Sequence, residues 1–249
     1  MITTHHLSGI WVVAKKDFWE MMNSPMAYVL YAIFLLVTGY FFSQPLFMIN
    51  QANVAPFMEL VPLILVFLVP AVTMRSLAEE FKAGTFEILA TLPLKTYEVV
   101  VGKYLASVAV VTGALGLTVV YPVTLEILGD PDWGAVAGSY IGNVFLVAAL
   151  CAIGVFASGL TRNQVVAYLI AWVTGFGFFL AGKVIMFFPY PLSDVINFMG
   201  FDCHLQNISR GVLDSRDLVY FLSLASFFLV LPLMRIEKKL RGASIQGNR

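Results

Sequence analysis

Six long apolar segments restrict the fold of this chain more than any other feature of its sequence. They are residues 26–48, 55–74, 104–128, 135–160, 165–188 and 218–234. An α-helix needs about 20 apolar residues to cross the hydrocarbon core of a bilayer. Of the 249 residues, 59% are hydrophobic and 12% are charged, whereas about a quarter of the residues of a soluble domain are charged. We therefore predict an all-α membrane protein in which residues 1–249 form one transmembrane domain of six spans.

The lysine and arginine residues are distributed unequally between the two ends of these spans. Twelve of the fifteen lie before span one, between spans two and three, between spans four and five, or after span six. The opposite loops contain only Arg210 and Arg216, and Lys183 lies inside span five. Because cytoplasmic loops carry the excess of positive charge, we expect both termini and the loop between spans two and three to lie in the cytoplasm.

Residues 1–24 have the pattern of an amphipathic helix. Its apolar residues at helical spacing are Leu7, Ile10, Trp11, Ala14, Phe18, Met21 and Met22. An aromatic-rich face with basic flanks is typical of a helix that lies in the plane of the membrane interface. The alternative is an ordinary packing helix. Ser24 and Pro25 then suit the N-cap and first position of span one.

Residues 75–103, which join spans two and three, combine charged residues with a short apolar pattern. We expect span two to continue as the helix "RSLAEEFKA" and to end at Gly84, because glycine readily adopts a positive φ. Thr85 can cap a second helix whose residues Phe86, Leu89 and Leu92 share one face and which ends before Pro93.

This short helix is suited to a groove on a soluble partner, since it presents apolar residues on one side and charges around them. The alternative is a solvated loop, which would not need so many apolar residues. A third helix, capped by Thr96 with Glu98 in its first turn, leads into span three.

Residues 189–217 form the longest segment on the opposite side. Its apolar residues recur at helical spacing, which predicts two short amphipathic helices broken near Gly200 and Gly211. Asp214 and Asp217 are expected to open span six as an N-cap pair. On span four, Gly134, Gly138 and Gly142 permit close helix approach, within one subunit or between two. Asp202, Cys203 and His204 could touch a metal, but three consecutive residues rarely form a closed site.

The sequence offers little chemistry of its own. Two cysteines exclude a disulfide framework. The charged residues inside the spans, Lys183, Glu59 and Glu126, lie toward the outer ends, so no proton relay or cation site is expected at the midplane. Gly177 to Lys183 matches a phosphate loop by spacing, but no strand precedes it and no Ser or Thr follows it. The energy for any active transport must therefore come from another protein.

A family resemblance is carried by the run "EFKAGTFEILATLPLKTYEVVVGKYLA". It resembles the cytoplasmic signature of type-2 ABC transporter permeases (ABC-2 permeases). The matching residues are Glu80, Gly84, Thr85, Glu87, Leu89, Pro93, Gly102 and Lys103. The tail "HLQNISRGVLDSRDLVYFLSL" is similar to the gliding-motility-associated and nitrous-oxide-reductase-maturation branch of these permeases.

The resemblance implies a permease subunit without an ATPase site of its own, in the bacterial inner membrane. Two such subunits, or one and an auxiliary membrane subunit, would work with two cytoplasmic ATPase subunits that bind ATP and magnesium. The short helix after span two would dock on the ATPase, and export would be the direction. The residues implied in this ATPase coupling are Glu79, Glu80, Gly84, Thr85, Phe86, Glu87, Leu89, Leu92, Pro93 and Lys103. We expect the three glutamates to offer salt bridges to the partner.

Three other functions remain open at this point. One is a membrane anchor that uses ATP hydrolysis for mechanical work, such as assembling surface machinery. Another is a haem-exporter or copper-maturation type of permease, with Cys203 and His204 meeting metal or haem outside. The third is a passive scaffold without an ATPase. The substrate does not follow from the residues of the spans, which are mostly apolar and aromatic.

Overall fold

A computed structural model of the chain describes residues 3–48, 55–85, 95–129, 131–184, 189, 192–209, 211 and 214–246. Within these residues every regular element is an α-helix, and six helical segments are long and apolar enough to cross a membrane. The predicted all-α fold with six spans is therefore confirmed.

The helices follow one another along the chain with short connections. They are α1 (Thr3–Met22), α2 (Pro25–Met48), α3 (Ala55–Thr73), α4 (Ala78–Ala83), α5 (Thr96–Leu117), α6 (Val120–Leu128), α7 (Trp133–Leu160), α8 (Gln164–Ala181), α9 (Leu192–Met199), α10 (Phe201–Ser209) and α11 (Ser215–Gln246). Spans one to six are α2, α3, α5 with α6, α7, α8 and α11.

Helix α7 lies at the centre of the bundle. It packs against α3, α5, α8, α10 and α11, and 72% of its most apolar stretch is buried, compared with 17% for span one and 22% for span five. Its alanine and glycine residues allow these neighbours to approach closely. The exposed apolar faces of the outer spans are what lipid or another membrane subunit would cover.

Several helix ends lie where the sequence predicts them. Helix α2 begins at Pro25, and the Ser24 hydroxyl accepts a hydrogen bond from the Met26 N–H at 3.4 Å. Gly84 ends α4 with φ at 74°. Asp214 accepts the N–H of Arg216 at the start of α11. In each case a residue of the expected type satisfies the backbone at the helix end.

Other helix ends differ from the prediction. Span two does not continue unbroken into the loop, because a turn separates the end of α3 from α4. Span three is broken at 118–119, so that Pro122 falls in the first turn of α6, where a missing N–H costs little. The N-cap of α5 is Lys95 and not Thr96, and the Glu98 carboxylate accepts the Lys95 N–H at 2.9 Å.

Helices α9 and α10 confirm the two short helices expected between spans five and six, with the break at Gly200. Helix α10 lies directly on the glycines of span four. A Cβ atom at Gly138 would lie 2.2 Å from the Ile208 carbonyl oxygen, and one at Gly142 would lie 3.3 Å from the Ile208 side chain. These two glycines therefore admit a helix of the same subunit.

Substitution of Gly138 by alanine should destabilise the protein by about 1–3 kcal/mol, because the added methyl group collides with backbone that cannot move away by a rotamer change. Gly177→Ala is the matched control, since nothing lies within 4 Å of a Cβ at that position. Thermal unfolding of both purified variants in detergent measures the difference. Equal melting temperatures for the two variants would contradict this packing.

Candidate functional site

Three charged side chains from three different helices meet where span two ends and span three begins. The Lys103 Nζ atom on α5 lies 2.7 Å from Asp17 Oδ2 on α1 and 2.8 Å from Glu80 Oε1 on α4. The side chains of Lys103 and Asp17 are 6% and 7% exposed, and that of Glu80 is 16% exposed. We call this cluster the Lys103 triad.

The position of Asp17 follows from the close crossing of α1 over α5. A Cβ atom at Gly102 would lie 2.8 Å from the Val13 side chain and 3.1 Å from the Ile10 carbonyl oxygen. Only glycine lets the two helices approach this closely. Val13 and Asp17 are one helical turn apart, so the same crossing places Asp17 beside Lys103.

The position of Glu80 follows from the break between α3 and α4. Leu77, at this break, is fully buried against Val100, Val155 and Ile236. The Ser158 hydroxyl on α7 accepts the N–H groups of Leu77 and Ala78, both at 2.9 Å, and donates to the Met74 carbonyl at 3.1 Å. One side chain of the central helix therefore replaces the helical hydrogen bonds that the break removes, and it fixes where α4 begins.

Substitution of Ser158 by alanine should lower the free energy of unfolding by about 2–4 kcal/mol, because it leaves two buried N–H groups without an acceptor, each costing about 1–3 kcal/mol. Ser226→Ala is the control, since that exposed hydroxyl donates only to the carbonyl of its own helix. Chemical or thermal unfolding in detergent compares the two. A loss no greater at Ser158 than at Ser226 would refute the role of Ser158 in supporting the break.

The electrostatics of the Lys103 triad are those of one cation between two carboxylates. Lys103 is held by both, so its ammonium is satisfied in spite of burial, and removal of Lys103 leaves two largely buried carboxylates without their cation. The second oxygen of Glu80 is buried and has no hydrogen-bond partner in the described part of the chain. The triad joins α1, α4 and α5.

The residues that the sequence predicts for ATPase coupling lie at different places in the structure. Glu80 and Lys103 are in the triad, and Glu79 is exposed next to it. Gly84 ends α4, and Thr85 directly follows it. The remaining residues, Phe86, Glu87, Leu89, Leu92 and Pro93, lie outside the described residues. The Glu80 carboxylate contacts Lys103 of its own chain and is therefore not available for the predicted salt bridge to the ATPase.

The residues on the opposite side of the bundle are engaged in pairs. His204 Nδ1 lies 2.6 Å from Asp217 Oδ1, and its Nε2 lies 3.1 Å from the carbonyl oxygen of Phe198. Asp202 lies 2.6 Å from Lys183 Nζ. Both ring nitrogens of His204 are thus in hydrogen-bond contact with oxygen atoms of the protein. Within the described residues no group of three His, Cys, Asp or Glu side chains could hold a metal ion.

The His204–Asp217 pair is 3–4% exposed and attaches α10 to the start of span six. The sequence-predicted role of Asp217 in the N-cap is therefore replaced by a contact with His204.

The sequence reasoning did not single out Asp17, and it assigned Asp217 to a helix cap without indicating its contact with His204. The available signal for Asp17 was weak. It is one of two acids on an amphipathic helix that also carries Lys15 and Lys16, and only the α1–α5 crossing distinguishes it from Glu20.

Comparison with known proteins agrees with this architecture. The family model "ABC-2 family transporter protein" matches residues 11–233. No curated protein matches the chain. The matched region contains five of the spans, most of the sixth and the whole Lys103 triad, so the similarity extends over the fold as well as the segment that joins spans two and three. This multi-pass membrane protein belongs to the ABC-2 family of transporter proteins, the membrane components that partner ABC ATPases.

Proposed function

We propose that the chain is a permease subunit that exports its substrate and is driven by a separate cytoplasmic ATPase, which binds the ATP and magnesium. The observation that carries the proposal is the Lys103 triad, which ties the segment leading out of span two to α1 and to span three. The family membership supports the partnership with an ATPase. The excess of basic residues at this end of the spans supports a cytoplasmic location for it and for both termini, in a bacterial inner membrane.

In the proposed mechanism the ATPase acts on residues 85–92, and the displacement then passes through Gly84 and α4 to the Lys103 triad. Closure of the ATPase on ATP pushes the predicted helix at residues 85–92. Gly84 and α4 receive the displacement, and α4 turns about the break that Ser158 supports. Glu80 then moves Lys103, and with it span three and α1. Bistable rearrangement of packed helices of this kind switches access to a path between subunits.

In this mechanism Glu80 and Lys103 transmit force within the subunit, and Glu87 is the acid left to pair with basic residues of the ATPase, since Glu79 lines a cavity beside the triad. The reassignment of Glu80 follows from its contact with Lys103 and its low exposure. A second copy of the chain or an auxiliary membrane subunit completes the transport path, and the exposed apolar faces of spans one, five and six offer the surface for it.

Affinity purification of the tagged chain from native membranes tests the proposal. We expect an ABC ATPase to co-purify and to hydrolyse ATP. Recovery of the intact chain without any ATPase, under conditions that preserve other membrane complexes, would overturn it and would favour a passive scaffold.

A further inference from the structure

A cavity of about 450 Å³ opens beside the Lys103 triad, between α1 and the adjacent ends of spans one to three. Its upper wall is apolar and includes Leu30, Ala71 and Val72, and its lower wall includes Arg75, Glu79 and the triad itself. The volume falls in the range of about 300–1,000 Å³ that is usual for small-molecule sites. A cavity with one apolar wall and one charged wall suits an amphiphile.

The cavity lies at the ends of spans one and two, where lipid headgroups are expected. It reaches from residues of these two spans to residues of α1. On α1 the side chains of Trp11 and Trp19 are 68% and 55% exposed, and tryptophan collects at the boundary between hydrocarbon and headgroups. A lipid of this leaflet can therefore reach the cavity with its headgroup while its chains remain beside the spans.

The charges in the cavity select the kind of headgroup. Lys103 is satisfied by Asp17 and Glu80, and Lys16 lies 4.0 Å from Glu20. Neither Arg75 nor Glu79 has an ion-pair partner among the described residues, although both line the cavity. The second oxygen of Glu80 is buried and out of reach of a ligand in the cavity. What is left is one guanidinium and one carboxylate, which accepts hydrogen bonds.

These groups match a headgroup that contains both a phosphate and a primary amine. A guanidinium binds phosphate oxygens with two parallel hydrogen bonds. A primary ammonium has three N–H donors and can donate to both oxygens of the Glu79 carboxylate. A choline headgroup has the same charge but no N–H donor, and a glycerol headgroup has no cation.

We propose that this cavity binds the headgroup of an aminophospholipid such as phosphatidylethanolamine, with its phosphate on Arg75 and its ammonium on Glu79. The bound lipid lies beside the Lys103 triad, between α1 and the end of span two. The proposal depends on the membrane spans and not on any ATPase, so it can fail while the proposed function stands.

Native mass spectrometry of the purified protein in detergent tests the site, with short-chain phosphatidylethanolamine, phosphatidylcholine and phosphatidylglycerol as probes. We expect phosphatidylethanolamine to bind at least about tenfold more tightly than phosphatidylcholine, as one lost charge-assisted interaction would give. The exposed residues are changed first, so that the triad remains intact. Glu79→Gln should remove the preference for the amine, and Arg75→Gln should weaken both zwitterionic lipids about tenfold.

Glu59→Gln and Arg162→Gln make the same chemical changes at exposed positions away from the cavity, and they should leave binding unaltered. Equal binding of the two zwitterionic lipids to the unaltered protein would overturn the proposal, as would equal losses in the control variants. Competition by free phosphoethanolamine at the same concentration as the lipid would also overturn it, because the ligand would then be a soluble molecule.

Discussion

Replacement of Lys103 by methionine is expected to lower the free energy of unfolding by about 3–5 kcal/mol, the usual cost of removing one partner from a buried ionic cluster. The change leaves Asp17 and Glu80 facing each other, largely buried, without their cation. Little purified protein should remain folded in detergent, and its melting temperature should fall sharply.

A triple variant separates this electrostatic effect from the proposed transmission. Asp17→Asn, Glu80→Gln and Lys103→Met together remove all three charges, and replacement of a whole buried cluster is often close to neutral for stability. We expect folding to recover while ATP hydrolysis no longer responds to the permease. Lys16→Met, which alters an exposed lysine of α1, is the control and should change stability by less than about 0.5 kcal/mol. A Lys103→Met protein as stable as this control would show that the triad does not form.

Replacement of Leu89 by aspartate is expected to separate the permease from its ATPase. Leu89 is the middle residue of the predicted apolar face, between Phe86 and Leu92. A charged side chain placed in an apolar groove is left without a partner, and loss of a central contact of an interface commonly costs 2 kcal/mol or more, which weakens binding by about 30-fold. Quantitative co-purification of the ATPase measures the loss.

Thr91→Asp is the matched control for this experiment, because the same residue is introduced on the opposite side of the same predicted helix. The isolated permease should retain its melting temperature in both variants. Full retention of the ATPase by the Leu89→Asp protein, or equal loss in both variants, would show that this face is not the docking surface.

The spans and several of their ends could be predicted because the signals are local. Apolar length determines which segments can cross a bilayer, and Gly84 ends a helix by its own conformational freedom. The break in span two could not be predicted in the same way. Residues 74–78 are consistent with continuous helix, and the hydroxyl of Ser158 that supports the break comes from another span, 80 residues away from Ala78 in the chain.

The Lys103 triad could not be predicted either, because its residues are distant from one another in the chain. The similarity to ABC-2 permeases drew attention to Glu80 and Lys103 without indicating that they contact each other. Asp17, which completes the cluster, is 86 residues from Lys103 in the chain. On an amphipathic helix an acidic residue is normally assigned to the solvated face, and only the crossing at Gly102 places Asp17 in the interior.

Cross-linking from residue 89 tests the central claim most directly, namely that the segment after span two acts on a motor carried by another chain. The permease would carry a single cysteine at that position, with Cys151 and Cys203 replaced. In native membranes we expect a cross-link to an ABC ATPase that changes in yield when ATP is bound. Labelling of the same cysteine from outside intact cells by an impermeant reagent, without any cross-link to an ATPase, would contradict the account.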